Sequence, residues 1–543
     1  MAPTRASEPA LIDLGRRLSP LLVLCLAGAL SLTPAVDTAA EPPATLTERI
    51  DGAFGGVVSV MSAVLFWEPV AATVTDQDGH VVRDAASNTP VSNGIPLIVL
   101  VLLGGATFFT VYMRFINVRA FRHAIAVIRG HYDRPQDQGQ ITHAQALTAA
   151  LSATVGLGNI AGVAVAVGTG GPGAVFWMML IAALGMTSKF VECTLAQVYR
   201  RIEPDGTVYG GPMYYLEIGL KERGLAPLGK VLGVVFAVLC IGGSFGGGNM
   251  FQANQSFRAV AGQLPAGLAT HPALPWLFGL ALAFLVGLVI VGGIRRIGEV
   301  TVRLIPFMAL LYCLTCVSIL LRHVHAVPDA IHQIFAHAFS FDAGLGGFVG
   351  VAVTGIRRAV FSNEAGIGSA AIAHSAARTD EPVREGVVAM IGPFVDTIVI
   401  CFMTAMVVIV TGAWSNPAAG EGVAMTSYAF ATVFPWFPNI LAVCVFLFAY
   451  STLISWSYYG EKATAYLFGH TYRVALVYRL TFLAFIVLGT VSSLANVLDF
   501  SDMMILAMAF PNITGAVILA PKIRAMTADY WGRHRRREMR VYK

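Results

Sequence analysis

The chain has 543 residues, of which 56% are Ala, Val, Ile, Leu, Met, Phe, Trp, Tyr or Cys and only 12% are charged. Soluble domains carry about 25% charged residues, so so few charges cannot cover a water-facing surface. An ordinary cytosolic enzyme, a disordered chain and a nucleic-acid-binding protein are excluded. The net charge of +5 is modest, and its placement matters more than its size.

Arg16 and Arg17 precede the apolar stretch Leu21–Leu32, which is followed by Thr38-Ala39-Ala40. A basic start, a short apolar core and small residues before Glu41 predict a signal peptide over 1–40. Residues 41–94 read as a periplasmic segment. Its shorter apolar piece Gly52–Trp67 predicts a helix lying at the membrane surface, with an additional span as the alternative.

Apolar stretches of membrane-spanning length then follow. The first is Ile95–Met113, in a unit over 95–121. Residues 141–188 contain no Asp, Glu, Lys or Arg, enough for two spans, with Gly168–Gly173 as the turn. Others lie near 231–255, 275–294, 304–321, 345–373, 387–412, 438–466, 475–497 and 502–521, which makes eleven. With the N-terminus outside, inner loops collect Arg114, Arg119, Arg122, Arg200, Arg201, Lys221, Arg295, Arg296 and Arg378, and a basic tail over 522–543. Outer loops hold few cations, such as Arg258 and Arg322. This bias predicts a multi-pass inner (plasma) membrane protein with a periplasmic mature N-terminus and a cytoplasmic C-terminus.

Two spans carry a matching interruption. One contains Gly156-Leu157-Gly158-Asn159, the other Phe361-Ser362-Asn363-Glu364-Ala365-Gly366-Ile367-Gly368-Ser369. Each has Gly-aliphatic-Gly followed by a small polar residue. Glycine there weakens a helix by about 1 kcal/mol relative to Ala. Close helix packing explains one such site. Two of them, five spans apart, predict repeats over 142–322 and 345–521. An odd number of helices per repeat inverts the second, and paired interrupted helices point to a midplane binding site. Unwinding frees N–H groups that favour a carboxylate and carbonyls that favour a cation. A zwitterionic amino acid with Na⁺ uses both ends, and Asn159 and Ser362 add oxygens suited to a small hard cation.

The stretches Gly170–Gly185 (GGPGAVFWMMLIAALG) and Phe361–Ala377 (FSNEAGIGSAAIAHSAA), with VGLGNIAGVAVAVGTGG before the first, resemble the signatures of the alanine/glycine:cation symporter family. The resemblance covers roughly Pro96 to Met526. It implies an all-α polytopic membrane protein of the LeuT type, a five-plus-five inverted repeat with one extra N-terminal helix. It implies Na⁺ symport of small neutral amino acids, alanine and glycine first, by alternating access, with no organic cofactor and no enzymatic step. Carried over by residue, Leu157 and Gly158 meet the substrate carboxylate, while Phe361, Ser362 and Asn363 meet its amino group. Gln252, Ile367 and Trp456 complete the pocket. Carbonyls of Ser152, Val155 and Ala449 and the Thr452 hydroxyl hold Na⁺, with a weaker second position near Asn159 and Ser362. Leu157 stands where many members carry Thr, a change that bears on substrate preference.

Glu364 is an acid inside a span, which makes it a functional candidate. It holds the unwound segment, pairs with Arg357 or Arg358, or exchanges a proton; the last defines the alternative, a proton-coupled amino-acid transporter. Arg357 and Arg358 are candidates for an outer gate. Asp396 reads as packed against a polar partner, and Lys189 with Glu192 as a structural ion pair. No G-x-x-x-x-G-K-[ST] appears, so ATP drive is not expected. The expected partners are the amino acid and the lipid bilayer, not nucleic acid.

Overall fold

The computed structural model describes residues 67–68, 94–134, 136–339, 345–492 and 494–542. The leader over 1–40 lies outside them, as do the expected surface helix, apart from Trp67, and most of segment 41–94.

The principal helices are α1 (Leu97–Tyr112), α2 (Phe121–Ile128), α3 (His143–Thr154), α4 (Ala161–Gly170), α5 (Gly173–Val198), α6 (Pro212–Glu222), α7 (Ala226–Phe245), α8 (Phe251–Ala261), α9 (Leu274–Ile290) and α10 (Gly293–Arg322). They continue as α11 (Val327–Ala338), α12 (Leu345–Asn363), α13 (Ala370–His374), α14 (Pro382–Ala389), α15 (Phe402–Val410), α16 (Val423–Ala431), α17 (Phe437–Phe468), α18 (Tyr472–Val491), α19 (Leu494–Ala507) and α20 (Ala509–Arg535). A two-residue hairpin, β1 (Arg201–Ile202) against β2 (Val208–Tyr209), lies between α5 and α6.

Among the described residues, seven helices are long and apolar enough to cross a membrane, and an eighth crossing is the pair α3 and α4, bent by 58° at its break. α1 and α9 are shorter apolar helices. Every stretch expected from hydropathy coincides largely with helix, and length and apolarity alone pick out up to eight candidate crossings among the described residues. α3 begins where Thr142 and Gln145 form a reciprocal cap, each side chain bonding the other's backbone N–H. The turn at Gly168–Gly173 is as expected: α4 ends at Gly170, and Gly171 takes φ 67° before α5. Short α6, α11 and α16 and the hairpin are additions that the hydropathy reading passed over. They are too short or too polar to register as spans.

Two stretches of π-helix interrupt long helices. Gly246–Met250 joins α7 to α8, and Phe394–Cys401 precedes α15. Such bulges are rare and gather at functional sites. At the C-terminal side, Arg533 grips Glu381 with its two terminal guanidinium nitrogens at 2.5 and 2.9 Å, fastening α20 to the segment ahead of α14.

Candidate functional site

The first break forms because α3 runs into Val155 and Gly156. Gly156 is extended (φ −135°, ψ −152°), and one 3-10 turn, Leu157–Asn159, follows before α4. Asn159 closes this turn by accepting the Gly156 N–H at 2.8 Å. Glycine is required at 156 by proximity: an added Cβ would lie 2.5 Å from Thr452 Oγ1 and 3.2 Å from Gln252 Oε1. The Leu157 N–H donates to Gln252 Oε1 at 3.2 Å. Gln252 thus meets the backbone donor at which a substrate carboxylate was expected.

The second break follows α12. Glu364 takes φ 56°, a left-handed conformation uncommon for a residue with a side chain, and Gly366 and Gly368 follow at 86° and 87°. The Asn363 side chain accepts the Ala365 N–H at 2.9 Å. Glu364 accepts the Ser369 hydroxyl on one oxygen and the Trp456 indole N–H at 2.9 Å on the other. Its carboxylate therefore spans its own gap and ties it to α17. It does not pair with Arg357 or Arg358. Both arginines meet Asp502 of α19, Arg357 at 3.1 Å and Arg358 more closely. Those options in the sequence reading are corrected accordingly: the acid opposite the arginines comes from 144 residues further along the chain.

The breaks touch. A Cβ on Gly158 would sit 3.3 Å from Ser362 Cα and 3.5 Å from the Phe361 ring. Phe361 meets Phe251 edge to face at 5.4 Å, with the Arg358 guanidinium 5.5 Å from its ring centre. Ile367 is wholly buried, and Trp456 packs on the bare backbone of Gly248.

α17 reaches the first break through a pair of polar contacts. Ser152 Oγ donates to the Ser451 carbonyl at 2.6 Å, and Thr452 Oγ1 donates to the Ser152 carbonyl at 3.1 Å. Ser152 and Thr452 are thus brought together as expected. Val155 and Ala449 are buried in the same two segments.

Asn159 and Ser362 also converge, on a residue missing from the sequence-derived site. Asp396, in the π-helical stretch, accepts Asn159 Nδ2, Ser362 Oγ and Thr397 Oγ1, each at 2.7 Å. Asn363 joins through Thr397 at 3.1 Å. The available signal was an Asp inside an apolar run.

Two further contacts hold the half-helices. Asn512 Nδ2 donates to Glu192 at 3.0 Å and to the Gly366 carbonyl at 2.8 Å, so α5 and α20 brace the second break. Lys189 lies 3.8 Å from Glu192, the expected ion pair. At the far end of α3, ring nitrogens of His143 and His374 face the two oxygens of the buried Glu385, joining α3, α13 and α14.

The model of the sodium:alanine symporter family matches residues 81–543. The chain belongs to that family. It is a family of transporters, so this chain is a multi-pass membrane transporter and not an enzyme. The chain is 41% identical over 438 residues to the sodium/alanine symporter AgcS of Methanococcus maripaludis, covering 80% of this chain and 94% of that protein. It is 34% identical over 442 residues to the probable sodium/glutamine symporter GlnT of Bacillus subtilis, covering 80% and 87%. The amino-acid carrier protein AlsT of the same organism is 35% identical over 433 residues, covering 79% and 88%. Among solved structures, MhsT in complex with L-phenylalanine aligns with TM-score 0.43 and 16% identity over 70% of this chain and 98% of that one.

Proposed function

We propose that this family member imports small neutral amino acids, alanine and glycine first, by Na⁺ symport through alternating access, with the substrate held between the two broken helices. The observation that carries this reading is the direct contact of the breaks at Gly158 and Ser362, with polar side chains converging from α17 and the Asp396 segment. The names of AgcS, GlnT and AlsT support Na⁺-coupled amino-acid transport as the general activity.

In this reading the carboxylate takes the Leu157 and Gly158 N–H groups, displacing Gln252. The ammonium meets backbone oxygens at Phe361, Ser362 and Asn363. One Na⁺ is held by carbonyls of Ser152, Val155 and Ala449 with Thr452; a second lies by Asn159, Ser362 and Asp396. The carboxylate of Asp396 supplies the negative charge that a desolvated cation requires. Trp456 and Leu157 keep the pocket small. Arg357 and Arg358 against Asp502 close the outer side. The five-plus-five inverted repeat accounts for the two breaks, and the arginine-rich inner loops support a cytoplasmic C-terminus at the inner membrane. Both Glu364 oxygens are engaged within the fold, which supports a structural role over proton exchange.

The test is uptake of labelled alanine into proteoliposomes, with an inward Na⁺ gradient against choline, at two pH values. Na⁺-dependent accumulation that is lost in Thr452→Ala is expected. Accumulation driven by a pH gradient alone overturns the reading in favour of proton coupling through Glu364.

A further inference from the structure

At the C-terminal end of α17, away from the breaks, a cavity of about 360 Å³ lies between β2, the first turn of α10 and the last turns of α17. The arginine-rich loops place this end on the cytoplasmic side. Two acids line it, and both are already satisfied. Asp205 accepts the Thr207 N–H at 2.8 Å and its hydroxyl at 2.9 Å. Glu461 is held by Arg479 through two bonds, at 2.7 and 3.1 Å.

The two bases are not satisfied in this way. Lys462 is only 6% exposed, yet among the described residues it makes no hydrogen bond or ion pair. Its ammonium rests over the rings of Tyr209 and Tyr458, 3.9 and 5.2 Å from their centres. A cation–π contact offsets only part of the cost of burying a charge. Arg295 likewise has no carboxylate partner among the described residues. It sits in the first turn of the 30-residue α10, where free N–H groups and the helix dipole already concentrate positive charge. The backbone there is bare: Gly293 has φ 61°, and a Cβ on it would meet nothing within 4 Å. The hydroxyl of buried Tyr458 also lacks a partner among the described residues.

A helix N-terminus, a guanidinium and a buried ammonium therefore line one space in which Glu461 is neutralised by Arg479 and Asp205, still charged, is turned onto the Thr207 donors. We propose that this cavity is a binding site for a small oxyanion of the carboxylate type. Lys462 and Arg295 supply the charge, and the first N–H groups of α10 supply donors. The anion is either the carboxylate of the amino acid after release or a free cytoplasmic anion. Lys462 lies ten residues beyond Thr452 on α17, about 15 Å along the axis at 1.5 Å per residue, so the site is separate from the transport centre. An occupant ties β2, α10 and α17 together at the inner face.

The test uses the purified full chain in Na⁺-free choline buffer, reading the thermal unfolding midpoint as choline acetate is titrated. A saturable rise is expected. In Arg295→Gln the half-saturating concentration should increase about tenfold or more, as for loss of one charge-assisted bond. Arg295 is exposed, so folding does not confound that variant; Lys462→Gln should behave alike, and Lys462→Arg should retain the response. Alanine giving the same Arg295-sensitive rise in a Thr452→Ala chain identifies the released amino acid as the source. Acetate acting where alanine does not identifies a free anion. Absence of any saturable rise with either, or equal half-saturation in Arg295→Gln, overturns the proposal. The readout needs no transport, so failure of Na⁺-driven uptake would leave it standing.

Discussion

Trp456 of α17 donates its indole N–H to Glu364, which sits in the gap of the second broken helix with a left-handed backbone. One carboxylate thus fixes the shape of the gap and the position of the aromatic side chain beside it. Glycine at 364 relieves the backbone strain but leaves the Trp456 and Ser369 donors unmet. If the carboxylate matters rather than the backbone, Glu364→Gly loses uptake and about 2–4 kcal/mol of stability despite its freer φ. Alanine uptake and thermal unfolding on the same preparation check this.

Asp396 receives three donors at 2.7 Å, from Asn159, Ser362 and Thr397. An amide at that position turns an N–H₂ toward one of them. Asp396→Asn should raise the Na⁺ concentration for half-maximal uptake about tenfold or more. An unchanged Na⁺ dependence would exclude Asp396 from cation binding.

Gly156 lies where a methyl group would be forced against Thr452 and Gln252. Gly156→Ala should abolish transport and destabilise the protein by about 1–3 kcal/mol. Gly162→Ala, in the same broken span but with open space around it, should be close to neutral in both measurements. Paired uptake and melting curves separate the two.

Asp502 compensates two guanidinium groups at once. Asp502→Asn removes the carboxylate that the two share, and the thermal unfolding midpoint should fall. Uptake should fall sharply. Arg357→Gln, which retains the closer Arg358 contact, should be milder. Equal loss in the two variants would show that Asp502 does not work mainly through Arg358.

The helix α2, outside the membrane-spanning segments, gives a pH prediction. Burial, helped by the charges of His534 and Arg384, lowers the His123 pKa from 6.5 to about 4, and its ring bonds the Tyr530 hydroxyl at 2.7 Å. The folded protein binds this proton more weakly than the unfolded chain. Stability is therefore unaffected above pH 6.5 and declines as pH falls from 6.5 toward 4, by up to roughly 3 kcal/mol. Trp531, 5.2 Å from the His123 ring, reports the change by fluorescence. His123→Phe should remove that pH dependence.

The interruptions at Gly156–Asn159 and Glu364–Ser369 were legible because glycine and polar residues inside apolar runs conflict with helix locally, although Phe361–Asn363, read as part of the second interruption, are the last turn of α12. Thr452 and Ser152 followed from the family pattern. Asp396 was visible as an acid in apolar sequence, but not its partner Asn159, 237 residues away; Asp502, which meets Arg358 across 144 residues, was not singled out at all. Hydropathy reports how much a segment avoids water, not which neighbour meets it. The same limit hid Asn512, whose contact with Gly366 spans 146 residues.

The elbow of 58° between α3 and α4 has a mechanical consequence. α3 is fastened near one end by Ser152 against Ser451 and Thr452, and at the other by His143 against Glu385. The second gap is pinned by Asn512, which bonds the Gly366 carbonyl and is itself held by Glu192. Any separation of α3 from α17 parts Ser152 from both Ser451 and Thr452, so the edge of the first break and its seat on α17 are one piece of construction.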